Sequence, residues 1–104
     1  MIDTGKIFDK VETIACVCAE ASTGQKVERT DIKEKTVRPS FVIFLAKSLA
    51  MMTAHDCYGI PYKKIAKHMD MNIISVMNAV RKARERRFFD PVYKHCHELM
   101  QTRL

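Results

Sequence analysis

The sequence predicts an all-α domain of five or six helices packed around a buried central helix. Three observations carry this. Apolar residues recur at spacings of three and four, the period of a helix face rather than the alternation of a strand. Only three glycines and three prolines are present, too few for the many turns of an all-β fold. Asp, Asn and Ser stand ahead of the periodic segments and Gly or Pro at their breaks, as helix caps require. At 104 residues, 47% of them hydrophobic and 29% charged, the chain is long enough for one domain (1–104) with its own core.

Ile7, Val11, Ile14 and Cys18 set a first helix from Asp3 or Thr4 to Ala21. Ser22-Thr23-Gly24 ends it, with Gly24 as a left-handed cap. A polar stretch over 25–38 follows, with one short turn of helix starting at Thr30 or Asp31, both good N-caps. Ser40 then caps a long helix over 41–58. Phe41, Val42, Ile43, Phe44, Leu45, Ala46, Leu49, Ala50, Met51, Met52 and Ala54 make it apolar nearly all round, which marks it as the buried centre. Gly59-Ile60-Pro61 breaks it, and Pro61 opens a short helix over 62–69. A tight turn at Asp70-Met71 leads to Asn72, the N-cap of a helix ending near Arg87. Asp90-Pro91 repeats the cap-then-proline pattern for a last helix through about Met100.

The charge is unevenly placed. Between Gly59 and Lys94 lie nine basic residues (Lys63, Lys64, Lys67, Arg81, Lys82, Arg84, Arg86, Arg87, Lys94) against Asp70, Glu85 and Asp90. The rest of the chain is balanced, so this third carries the whole net charge of +6. A pI near 9.3 favours an anionic partner, nucleic acid first and an anionic membrane surface second. The longest apolar run, 41–46, is far short of a membrane span. The polar N-terminus has no apolar stretch of the signal-peptide kind, and a cytoplasmic chain with reduced thiols is expected.

The same basic third has the apolar spacing of a helix-turn-helix over 62–87. Counted from Tyr62, its interior positions hold Ile65, Ala66, Met69, Met71, Val76 and Ala79. The small Ala66 sits where the two helices cross most closely. Asp70 takes the turn position where Gly is common, and Asp tolerates positive φ better than most residues. In such a motif the second helix presents its N-terminal half to base edges in the major groove. Asn72, Ile73, Ile74, Ser75, Asn78 and Arg81 are the candidate base-reading residues. Asn78 suits adenine, Arg81 guanine, and an exposed Ile a thymine methyl. Ile73, three residues before Val76, has an equal claim to the core. Lys63, Lys64, Lys67, Lys82 and Arg84 are candidates for phosphate contacts, which give position and affinity.

These segments resemble the C-terminal DNA-binding domain of the bacterial replication initiator DnaA, a fold related to the Trp repressor. The resemblance runs over about 27–83. Lys35-Thr36-Val37-Arg38-Pro39-Ser40 stands where that family has a basic loop before its long helix. Ala46-Lys47-Ser48-Leu49-Ala50-Met51 is similar to the family's Ala-Arg-Gln-x-Ala-Met. Gly59-Ile60-Pro61-Tyr62-Lys63-Lys64-Ile65-Ala66 resembles its first motif helix, and Ser75-Val76-Met77-Asn78-Ala79-Val80-Arg81-Lys82 its Thr-Val-x-x-Ala-x-x-Lys. The family signature Gly-Gly-Arg-Asp-His-Thr-Thr is replaced by Asp70-Met71-Asn72-Ile73-Ile74-Ser75, one residue shorter and without the Arg, the His or the first Thr. The resemblance therefore implies phosphate contacts from Lys35, Arg38, Ser40, Lys47 and Ser75, but not reading of the initiator's own box. With no Gly-rich phosphate loop, the chain reads as a stand-alone relative of the domain.

Other chemistry is poorly supplied. His95-Cys96-His97 and Cys16-x-Cys18 hold zinc-type ligands at i and i+2, which point to nearly opposite faces of a helix. Cys16, Cys18 and Cys57 read as small core residues. His55-Asp56-Cys57 are sequence neighbours that do not face one another. No catalytic residue, metal or cofactor is expected. The expected role is a non-enzymatic, nucleoid-associated protein of the bacterial cytosol that binds double-stranded DNA, with a homodimer open. An adaptor using Ile73, Ile74 and Phe88-Phe89 for protein contacts is the first alternative. A ligand-gated, Trp-repressor-like regulator with a pocket between the long helix and the reader is the second.

Overall fold

The computed structural model describes residues 3–33 and 40–104. Six helices account for nearly all of them: α1 (Thr4–Thr23), α2 (Arg29–Lys33), α3 (Phe41–Asp56), α4 (Tyr62–Met69), α5 (Ile73–Phe89) and α6 (Pro91–Arg103). No strand occurs among the described residues. The fold is all-α, with α3 at its centre.

The helix boundaries follow from side chains that satisfy orphan backbone groups. Asp3 caps α1 by accepting from Lys6 N–H, and Gly24 ends it at φ 74°, its N–H on the Glu20 carbonyl. The helix runs two residues past Ala21, and there the Ser22 and Thr23 hydroxyls donate back to the Cys18 and Ala19 carbonyls, both at 2.8 Å. Ser40 Oγ caps α3. That helix stops at Asp56, two residues short of 58, where Gly59 turns the chain at φ 66°. His55 Nδ1 donates to the Ile60 carbonyl at 2.9 Å and secures this turn.

In α3, Leu45, Ala46, Leu49, Met52 and Ala54 are sealed from solvent, as are Ser48 and Thr53. Its most extensive neighbours are α1 and α5, and α6 closes the core by packing on both of those. Tyr93 of α6 is fully buried and reaches Ser48 of α3 with its hydroxyl (3.3 Å). Burying this many apolar side chains is what holds so small a domain together, at about 1.5–3 kcal/mol for each large one.

A buried carboxylate joins α1 to α4. Glu12 is 1% exposed. Its Oε1 accepts from His68 Nε2 at 2.9 Å and lies 3.6 Å from the Arg29 guanidinium. Oε2 has no hydrogen-bond partner among the described residues. His68 also stacks flat on Phe8, with ring centroids 3.9 Å apart.

One reading of the sequence needs correction here, and one left open is resolved. Cys57 is not a core residue: it caps α3 and is exposed, unlike Cys16, Cys18 and Cys96. Ile73 does not face the core, being 41% exposed. Helix α5 also continues to Phe89 rather than Arg87, because Asp90 donates its N–H to the Arg86 carbonyl (2.7 Å) before capping α6.

Candidate nucleic-acid interface

Helix α4, the turn at Asp70 and helix α5 form a helix-turn-helix whose geometry can be read bond by bond. The Met71 N–H bonds to the Ala66 carbonyl at 2.9 Å and the Asp70 N–H to Lys67 at 3.3 Å. That pair is a Schellman closure, and it requires a left-handed residue at Asp70, whose φ is 53°. Asn72 Oδ1 then accepts from Ile74 N–H at 2.8 Å and starts α5. Ile65, Ala66, Met69, Val76 and Ala79 are buried and Met71 half-buried, so all six interior positions turn inward.

The candidate base-reading residues share the exposed side of α5. Asn72, Ile73, Ile74, Ser75, Asn78 and Arg81 are all exposed. Asn72 is partly spoken for, since its carbonyl oxygen accepts the N-cap bond, leaving its amide nitrogen and one oxygen lone pair for a partner. Ser75 and Asn78 line an open groove of about 290 Å³ with Lys82, against a wall of Phe44, Met71 and Ala79.

The basic residues divide into two groups. Lys63, Lys64, Lys67, Arg81, Lys82 and Lys94 are exposed. Lys64 and Lys67 flank a second open cleft of about 360 Å³ between α4 and the start of α1, beside Thr4, Gly5, Phe8 and His68. Arg84, Arg86 and Arg87 are turned to structural use. Arg84, expected on phosphate, instead grips Asp56 at the end of α3 through Nε (2.9 Å) and NH2, tying α5 to the central helix. Hydrogen bonding to Arg84 holds the Asp56 carboxyl below its usual range and raises the guanidinium above its own. Arg86 lies over the rings of Phe44 and Tyr93, and Arg87 over Phe88.

Of the contacts implied by the resemblance, Lys35 and Arg38 lie outside the described residues. Ser40 is exposed but its hydroxyl caps α3. Lys47 is half-buried, and burial lowers its ammonium pKa. Among the described residues no group of three His, Cys, Asp or Glu side chains converges as metal ligands do. Burial pushes the Cys16 thiol up to about 11 and the Cys96 thiol up to about 12, which keeps both protonated near neutrality. No helix among the described residues is long and apolar enough to cross a membrane.

Two features of this surface were missed in the sequence. Met77, 46% exposed, continues the apolar edge begun by Ile73 and Ile74, as its spacing of three from Ile74 already signalled. The groove wall at Phe44 comes from a helix thirty residues earlier, and nothing local announces it. Comparison of the chain with known protein families, characterised proteins and solved structures finds no match.

Proposed function

We propose that this protein is a non-enzymatic binder of double-stranded DNA that lays the N-terminal half of α5 in the major groove. One observation carries the reading: Ser75, Asn78 and Arg81 share an exposed helix face, with Lys82 beside them and the lysines of α4 one turn of chain away. Asn78 and Arg81 offer the paired donors and acceptors that distinguish adenine and guanine edges. Lys63, Lys64, Lys67 and Lys82 supply charge for the phosphates on either side. Replication, transcription and mobile-element roles all use such a reader.

Base reading and phosphate holding separate by mutation. Lys63→Ala with Lys67→Ala should weaken binding to all duplexes alike. It should also flatten the dependence of log affinity on log salt by about 1.8, roughly 0.9 for each phosphate contact. Titration of a labelled duplex at several salt concentrations checks this, and an unchanged slope places these lysines off the DNA.

The exposed Ile73, Ile74 and Met77 favour a second reading, an adaptor that offers this apolar edge to another protein. In that case Ile74→Asp abolishes partner capture and leaves weak duplex binding untouched. A ligand-gated alternative would use the open groove between Phe44 of α3 and Ser75, Asn78 and Lys82 of α5.

A further inference from the structure

The largest exposed apolar side chains lie at the far end of α5. Phe88 and Phe89 are 76% and 73% exposed, more than any other large hydrophobic residue among those described. They are not on a loose end. Asp90 both closes α5 and caps α6, so the two rings sit on a fixed corner between consecutive helices. The Arg87 guanidinium lies 4.9 Å from the Phe88 ring centre, within cation–π range.

We propose that two copies of this chain pair through the Phe88–Phe89 corner when bound to DNA, setting their readers about one helical turn of duplex apart. This rests on the DNA-binding reading above. Charge, area and distance select a second copy as the occupant.

The charges at the corner balance: over 85–90, Glu85 and Asp90, on either side of the rings, stand against Arg86 and Arg87. A copy meeting itself here finds both signs, whereas the lysine face of α4 would repel itself.

The area is small. Two phenyl rings at about 200 Å² each, three-quarters exposed, offer about 300 Å² per copy. A stable interface needs about 800 Å² per partner. Free protein is therefore monomeric, and pairing needs a duplex to hold two copies side by side at high effective concentration.

The distance fits a two-fold site. Thirteen residues separate Ser75 from Phe88 along α5. At about 1.5 Å per residue that is roughly 20 Å, so two collinear copies set their readers about 40 Å apart and inclined ones less. Half-sites one turn apart are separated by about 34–36 Å.

The test uses wild type and the double variant Phe88→Ser/Phe89→Ser, whose fold is checked by far-ultraviolet circular dichroism and thermal melting. Each is used to select duplexes from a random 40-base-pair pool, and the recovered duplexes are titrated by gel retardation. Wild type should recover inverted repeats with centres about 10–10.5 base pairs apart, or a multiple. The second copy should bind about 5- to 150-fold more tightly than the first. The double variant should recover single half-sites, bind each with unchanged affinity, and show no such gain. Wild type recovering single unrepeated sites, or the double variant keeping the cooperativity, overturns the pairing and leaves the DNA reading standing. If neither protein retains any duplex at low salt, the DNA reading fails and the pairing with it.

Discussion

Duplex binding by this protein should fall about 150-fold as salt rises from 50 to 200 mM. The magnitude follows from counting the cations that are available for phosphates. Lys63, Lys64, Lys67 and Lys82 are exposed around the α4–α5 turn. If each neutralises one phosphate, the slope of log affinity against log salt is about −3.6, and a fourfold rise in salt gives the 150-fold loss. The full sequence count of nine basic residues would give a slope of about −8 and a loss nearer 10⁵-fold. The difference lies in Arg81, assigned to a base edge, in Lys94 on α6, and in Arg84, Arg86 and Arg87, which serve Asp56 and the rings of Phe44, Tyr93 and Phe88. Fluorescence anisotropy of a labelled duplex over that salt range measures the slope. A value shallower than about −2 would show that the basic face does not meet DNA.

Outside the apolar core, a large stability loss should come from His68→Ala, at about 3 kcal/mol. Glu12 is 1% exposed, and His68 Nε2 is its one hydrogen-bond donor among the described residues. Removing the donor of a buried acceptor costs about 1–3 kcal/mol, and more where the acceptor is a carboxylate, because that group is left in a poor solvent. The loss here stays at about 3 kcal/mol. Arg29 still lies 3.6 Å away, and the cleft beside His68 admits water once the ring is gone. A domain of this size is stable by only about 5–15 kcal/mol, so the loss is a large fraction of the total. Adding Glu12→Leu to the variant should restore most of it, since the buried charge then leaves with its partner. Urea denaturation of the two variants and the wild type tests this. A double variant no more stable than His68→Ala alone would show that Glu12 and His68 do not act as a pair.

How much of this was legible depended on whether the signal was local. The Gly24 cap, the Asp70 left-handed turn and the Asp90-Pro91 start each depend on a few neighbouring residues, and each stands in the structure as its sequence implies. The burial of α3 was legible for the same reason, because the helix is apolar nearly all round, although Phe41 at its start is 45% exposed. Long-range pairing was not. Nothing near Arg84 in sequence signals that Asp56, twenty-eight residues away, will claim its guanidinium. The Glu12–His68 bond spans 56 residues and puts a carboxylate where periodicity alone expects an apolar side chain. Cys57 was misplaced because small size suits a core, whereas its position at the end of α3 exposes it. For the candidate site, the exposed face of α5 followed from helical spacing. The division of the arginines between structure and surface required the tertiary arrangement.

The central claim is that α5 reads DNA through the face bearing Ser75, Asn78 and Arg81. Selection of duplexes from a random pool by the wild type and by Asn78→Ala tests it most directly. The wild type should recover a shared motif containing a defined A·T pair, and Asn78→Ala should bind nearly as tightly in total but accept any base at that position, a loss of about 1–3 kcal/mol of discrimination. Failure of both proteins to retain any duplex at 50 mM salt, or recovery of the same motif with the same stringency by both, would contradict it.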